Sequence, residues 1–87
     1  MIIGLDYDGT ITRDKAFWKA FIYMIKAVGH EVYIVTMRHE HEPIDMRLDC
    51  MVYYTCRKAK KPWCEKNGLN IDIWIDDNPQ WVVQDSC

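Results

Sequence analysis

The strongest constraint on this chain is the alternation of two hydrophobic periods along it. Short runs of apolar, largely β-branched residues are followed by stretches in which apolar residues recur every three or four positions. Residues 2–5, Ile-Ile-Gly-Leu, form the first run and end at Asp6. A continuous apolar run of that length reads as a buried strand. Gly9 and Thr10 mark a turn. Asp14 is placed to cap a helix, along which Ala16, Phe17, Ala20, Phe21, Met24, Ile25 and Val28 share one face. Gly29 stops that helix. Residues 31–35 are a second strand, ending at Thr36. Residues 40–49 are the least regular part. Pro43 suits a first helical turn there, and Ile44, Leu48 and Met51 share a helical face. Residues 51–55 read as a third strand and residues 60–67 as a short helix between Pro62 and Gly68. Residues 71–75 are a fourth strand, with a turn at Asp76-Asp77-Asn78-Pro79. Residues 81–83, Trp-Val-Val, are a terminal strand or a packing tail.

Strands that alternate with helices imply βαβ units, a parallel sheet and right-handed crossovers. The expected fold class is therefore α/β, with helices on both faces of the sheet. With 87 residues the whole chain, 1–87, is one domain. A chain this short buries only about 60–65% of the surface its unfolded form exposes, so its core must be compact. The hydrophobic share of 49% and charged share of 28% exclude a disordered or collagen-like chain. No apolar run is long enough to span a membrane. The start, MIIGLDYDGT, has no basic region and no small-residue cleavage site, so no secretory signal is expected. A net charge of −2 gives no general attraction to nucleic acid or to an anionic membrane. Cys50, Cys56, Cys64 and Cys87 contain no Cys-x-x-Cys pair, and reduced thiols in a cytoplasmic protein are the expected state.

In such sheets, ligands sit beyond the carboxyl ends of the strands. Asp6, Asp8, Gly9 and Thr10 follow the first strand; Thr36 and Arg38 end and follow the second. Thr55, Arg57, Lys58, Lys60 and Lys61 follow the third, and Asp76 and Asp77 the fourth. One edge thus collects four carboxylates, threonine hydroxyls and several cations. Clustered carboxylates repel one another unless a cation lies among them. Oxygen ligands without a His/Cys cluster favour a hard ion, Mg²⁺ above Zn²⁺. The hydroxyls and lysines then serve as donors to an anion beside the metal, which suggests phosphate chemistry.

Asp6-Tyr7-Asp8-Gly9-Thr10-Ile11 after an apolar strand resembles the DxDGT signature of the haloacid dehalogenase superfamily of phosphohydrolases. Thr36 is similar to that family's second motif, a lysine ahead of a short helix to its third, and Ile75-Asp76-Asp77-Asn78-Pro79 to its fourth. The four occur in order over residues 2–79. The resemblance implies a Rossmann-like three-layer core with strand order 4-1-2-3. It also implies a Mg²⁺-dependent phosphomonoester hydrolase acting through an aspartyl-phosphate. Asp6 would be the nucleophile and Asp8 the general acid and base, its main-chain carbonyl also on the metal. Thr36 and Lys60 would hold the phosphoryl group, with Gly9, Thr10, Arg38 and Lys61 around the substrate. The metal would be held by Asp6, Asp8 and Asp77, with Asp76 behind. Lys58 and Lys61 are the other candidates for the lysine. Asp8 also argues for phosphate-ester hydrolysis over dehalogenation, because a halide leaves without a proton.

Most of that family carry a cap domain over the site. Here only three residues, Ile11 to Arg13, separate the signature from the expected helix cap at Asp14, so no cap is expected. An open site admits polymeric phosphates as well as small ones. The family's fifth strand is missing or reduced to residues 81–83, which leaves strand four at an edge near Trp74 and Trp81, where a homodimer could form. Two other readings stand beside hydrolysis. One is a non-catalytic metal- or phosphate-binding module of the same fold. The other is a nucleic-acid end phosphatase, to which the basic stretch from Arg57 to Lys61 and Trp63 would contribute. His39-Glu40-His41 invites a metal reading but has no third ligand nearby in sequence.

Overall fold

The computed structural model describes residues 1–45 and 47–86. Its elements in chain order are β1 (Ile2–Leu5), a 3₁₀ turn (Ile11–Arg13), α1 (Lys15–Ala27), β2 (Glu31–Thr36), β3 (Val52–Tyr54), α2 (Lys60–Lys66), β4 (Ile73–Ile75) and α3 (Gln80–Val83). The four strands form one parallel sheet in the order β3-β2-β1-β4, which is the expected 4-1-2-3 read from the other edge. No helix among the described residues is long and apolar enough to cross a membrane.

The two-residue period of a strand sorts side chains to the two faces. Ile3 and Leu5 of β1 stand beside Val32 and Ile34 of β2, and with buried Tyr7, Ile11 and Ile22 they form the main core. Trp18, Phe21 and Ile25 of α1 close over it, joined by Ile44, Leu48 and Cys50 from the β2–β3 connection. Leu5 and Ile34 are wholly buried, and each such side chain contributes about 1.5–3 kcal/mol. The opposite face carries Gly4, Tyr33 and Tyr53, against which Trp63 of α2 packs. Gly4 is required there by close approach. A Cβ at this position would lie 2.9 Å from Ile71 Cγ2 and from the Trp74 ring.

Asp14 caps α1 as expected, its Oδ1 accepting from Phe17 N at 3.1 Å. The face that α1 buries keeps Phe21 and Ile25 of the expected one but is rotated away from the rest. Phe17, Met24 and Val28 are exposed, as are Ala16 and Ala20, while Trp18, Phe21, Ile22 and Ile25 turn inward. Both sets recur at helical spacing. The bulky rings of Trp18 and Phe21, edge-to-face at 5.2 Å, fill the space above β1 and β2. Residues 40–45 and 47–49 form no helix; Ile44 and Leu48 reach the core from irregular backbone. β3 and β4 are shorter than expected, because ladder partners are found only by the central three residues of the first and the last three of the second. Residues 80–83 are a helical turn packed against α2, not a strand.

Cys50, Cys56 and Cys64 are free thiols; Cys87 lies outside the described residues. Burial pushes the thiols of Cys50 and Cys64 up to about 11, whereas Cys56 is exposed. Brief iodoacetamide treatment of the native protein at pH 8 is therefore expected to label Cys56 well before Cys50 and Cys64, read by peptide mass mapping. Gly4→Ala should lower the urea midpoint by an amount equivalent to about 1–3 kcal/mol, because Trp74 and Ile71 must shift to admit the methyl group. An unchanged midpoint would show that this face is loosely packed.

Candidate functional site

The parallel register of β1 and β4 brings their carboxyl ends together. Leu5 pairs with Ile75, and Asp6 N donates to Ile75 O at 2.9 Å. Asp6 thus lies beside Asp76. It falls on the same face as Gly4, where the first turn of α2 arrives, while Tyr7 continues onto the α1 face. Lys60, the first residue of α2, is buried there. Its Nζ donates to Asp6 Oδ1 at 2.7 Å and to Asp76 Oδ2 at 2.6 Å. Asp85 accepts from Ala59 N at 2.7 Å and so secures the start of α2 just before the lysine.

Beyond Asp6 the chain turns sharply. Gly9 has φ +87°, and a Cβ there would lie 2.8 Å from Asp77 Cγ. The missing side chain at Gly9 is the space that the Asp77 carboxylate occupies. The Thr10 hydroxyl joins the two strands, donating to Asp6 Oδ2 at 3.0 Å and accepting from Asp77 N at 3.3 Å. Carboxylate oxygens of Asp6, Asp76 and Asp77 lie within 4.8 Å of one another. When all three are ionised, Lys60 leaves the cluster two charges negative. The donor set is oxygen alone, so the residues present suit a hard divalent cation. Asp76 already accepts from Lys60 and, through Oδ1, from Asn78 N at 2.9 Å; Asp77 is exposed and least engaged. Burial pushes Asp6 up to about 7, opposed by Lys60 and reinforced by Asp77 and Asp76.

Asp8 is placed differently. Its carboxylate is outside the cluster of three and is held by Arg38, Nε to Oδ2 at 2.8 Å and Nη2 to Oδ1 at 2.8 Å. The Arg38 Cζ stands 5.2 Å from the Tyr7 ring centroid, and Nη1 donates to the carbonyls of Glu42 and Pro43. Side-chain coordination of a metal by Asp8 alongside Asp6 is therefore not what this arrangement presents. Two residues on from Asp6, the turn has carried Asp8 outward to half-exposed surface. Thr36 is buried, its Oγ1 accepting from Arg38 N at 3.3 Å, which leaves its own proton free to donate.

Asp6, Asp8, Thr36, Arg38, Lys60, Asp76 and Asp77 line one cavity of about 180 Å³. Gly9 and Thr10 border its flank beside Asp76 and Asp77. Larger, more apolar grooves flank α1 and α2 but hold no carboxylate cluster among the described residues. Lys61 does not reach the cavity. It is exposed and borders a groove with Leu69 and Trp74, since successive helical residues point about 100° apart. Lys58 is exposed and 3.9 Å from Asp85. His39 and His41 stack on each other at 5.1 Å and belong to no cluster of three ligands among the described residues. Sequence reasoning placed Arg57 and Asn78 at the strand ends but gave neither a role in the site, and it did not bring Met37, Trp81 or Ser86 there; all five line the cavity. No local signal points to Trp81 or Ser86.

Lys60→Met leaves Asp6 and Asp76 facing each other in a buried site without their shared cation. A loss equivalent to about 3–5 kcal/mol is expected in urea unfolding, and the Asp6→Asn, Lys60→Met double variant should recover part of it. An additive pair would mean that the two groups do not interact. Comparison of the chain with protein-family models, curated proteins and solved structures finds no match.

Proposed function

We propose that the protein binds a divalent cation together with a phosphoryl group at the carboxyl end of its sheet. The observation that carries this reading is the convergence of Asp6, Asp76 and Asp77 around a single buried lysine. Asp6, Asp77 and, behind them, Asp76 would hold the cation. Mg²⁺ would supply charge neutralisation between these carboxylates and the phosphoryl oxygens. The Thr36 hydroxyl, with its proton unused, and the Lys60 ammonium are the donors suited to the phosphoryl group.

The finer reading is phosphomonoester hydrolysis, to which the resemblance to the haloacid dehalogenase superfamily points. In that reading an Asp6 carboxylate oxygen attacks phosphorus, the ester P–O bond breaks, and an aspartyl-phosphate forms. Asp8 protonates the leaving oxygen and then takes the proton of the water that hydrolyses the intermediate. The bidentate Arg38 pair favours the simpler reading in the state described here, because Asp8 must leave that pair to reach a substrate oxygen.

Calorimetric titration with Mg²⁺ and turnover of p-nitrophenyl phosphate separate the two. Cation binding weakened by more than about tenfold in Asp77→Asn is expected on both readings. Hydrolysis adds Mg²⁺-dependent turnover that falls by roughly 1000-fold or more in Asp6→Asn. Cation binding without turnover leaves a binding module. Absence of cation binding overturns both.

A further inference from the structure

Three cations line the site cavity: Arg38, Arg57 and Lys60. Two are saturated. Lys60 donates to Asp6 and Asp76. Arg38 uses Nε and Nη2 on Asp8 and Nη1 on two carbonyls. Among the described residues the Arg57 guanidinium makes no hydrogen bond, and its one ion-pair partner is Glu42 Oε1 at 3.7 Å. That separation is too long for a hydrogen bond. Among the described residues, Arg57 is thus the cavity cation with its side-chain donors unused.

Its position is also enforced. Cys56 and Arg57 both adopt left-handed backbone, with φ 54° and 70°. Residues with a Cβ disfavour that conformation, and it persists only where surrounding bonds impose it. Here Thr55 N donates to Thr36 O at 2.8 Å, Cys56 N to Arg38 O at 3.3 Å, and Arg57 N to Met37 O at 2.9 Å. Ser86 N closes the turn on Arg57 O at 2.8 Å. The turn is laced to the segment that carries Thr36 and Arg38. The Arg57 side chain stands 44% exposed at the rim, whereas those of Lys60 and Asp6 are 3% and 8% exposed at the floor. The cavity, at about 180 Å³, is smaller than the ~300–1,000 Å³ of an ordinary small-molecule pocket. It suits a phosphoryl group, with the rest of a ligand lying across the rim.

We propose that Arg57 binds a second anionic group beside the phosphoryl group held in the cavity, so that the preferred ligand is a phosphomonoester carrying a second phosphate. The inference rests on the phosphoryl-binding reading above. Two sources share this chemistry: a nucleotide or nucleic-acid end, and a sugar bisphosphate.

The test is calorimetric titration of the full chain, with Mg²⁺ present, using phenyl phosphate, glucose 1,6-bisphosphate and adenosine 3′,5′-bisphosphate. The bisphosphates are expected to bind at least about tenfold more tightly than phenyl phosphate. Arg57→Gln should abolish that preference and Arg57→Lys should restore part of it. Arg57→Asn removes the same charge with a residue that tolerates left-handed backbone, and covers the case in which Arg57→Gln does not fold. A preference for both bisphosphates means that the second phosphate alone is read; preference for the adenosine compound alone assigns the nucleotide source. The proposal is overturned if the wild type shows no preference or if the preference survives loss of the guanidinium. It is equally overturned if all three probes weaken alike, which would place Arg57 on the transferring phosphoryl group. Phenyl phosphate bound without preference rejects the role of Arg57 alone. If none of the three binds, phosphoryl binding fails with it.

Discussion

The ammonium of Lys60, shared by two buried carboxylates, is the interaction on which the carboxyl end of the sheet depends. Asp6 follows β1, Asp76 follows β4, and Lys60 begins α2, so one cation ties three elements at one point. Two carboxylates side by side in a buried corner repel each other and lose hydration, and the lysine offsets both. It does not offset the third. Asp77 enters through the space that Gly9 leaves open and keeps the cluster short of positive charge. A site built this way is incomplete as a charge distribution, and that residual negative field is of the sign that suits a hard cation.

The second Asp of the Asp6-Tyr7-Asp8 sequence belongs to a different network. Tyr7 lies between them, buried on the α1 face, with its hydroxyl donating to Asp45 at 2.5 Å and the Arg38 guanidinium near its ring. Asp8 is thereby drawn toward Arg38 and away from Asp6. One carboxylate is held by a buried ammonium at the floor, the other by a half-exposed guanidinium at the rim. The first pairing is costly to break because neither partner can be hydrated in place. The second is partly solvated and correspondingly easier to exchange for another anion. Motion at this site is therefore expected along the Asp8–Arg38 contact, not at Lys60.

Much of this was legible without coordinates. The alternation of periods gives a parallel sheet, the cap at Asp14 is where α1 begins, and the charged residues at strand ends gather at one edge. The failures have physical reasons. α1 carries more apolar residues than one face buries, and periodicity alone does not say where the buried stripe is centred; Trp18 and Ile22 join Phe21 and Ile25 over β1 and β2, leaving Phe17, Met24 and Val28 exposed. Pro43 and the Ile44/Leu48 spacing suggested a helix, but those side chains reach the core without one. Of the three neighbouring lysines, Lys60, the one preferred from the sequence, is the one buried at the site, at the first position of α2.

The amino-acid sequence by itself determined which residue types reach the carboxyl edge of the sheet, because strand ends follow from local period and turn chemistry and parallel strands put those ends on one edge. Only the tertiary structure decided how those residues pair. That Asp6 takes Lys60 and Asp8 takes Arg38, that Arg57 lies at the cavity rim with Glu42 3.7 Å away, and that Trp81 joins the cavity wall are outcomes of packing between segments distant in the chain. Local propensity acts over a few residues, whereas the electrostatics of a buried cluster depend on distances of a few ångströms between elements that only the folded chain brings together.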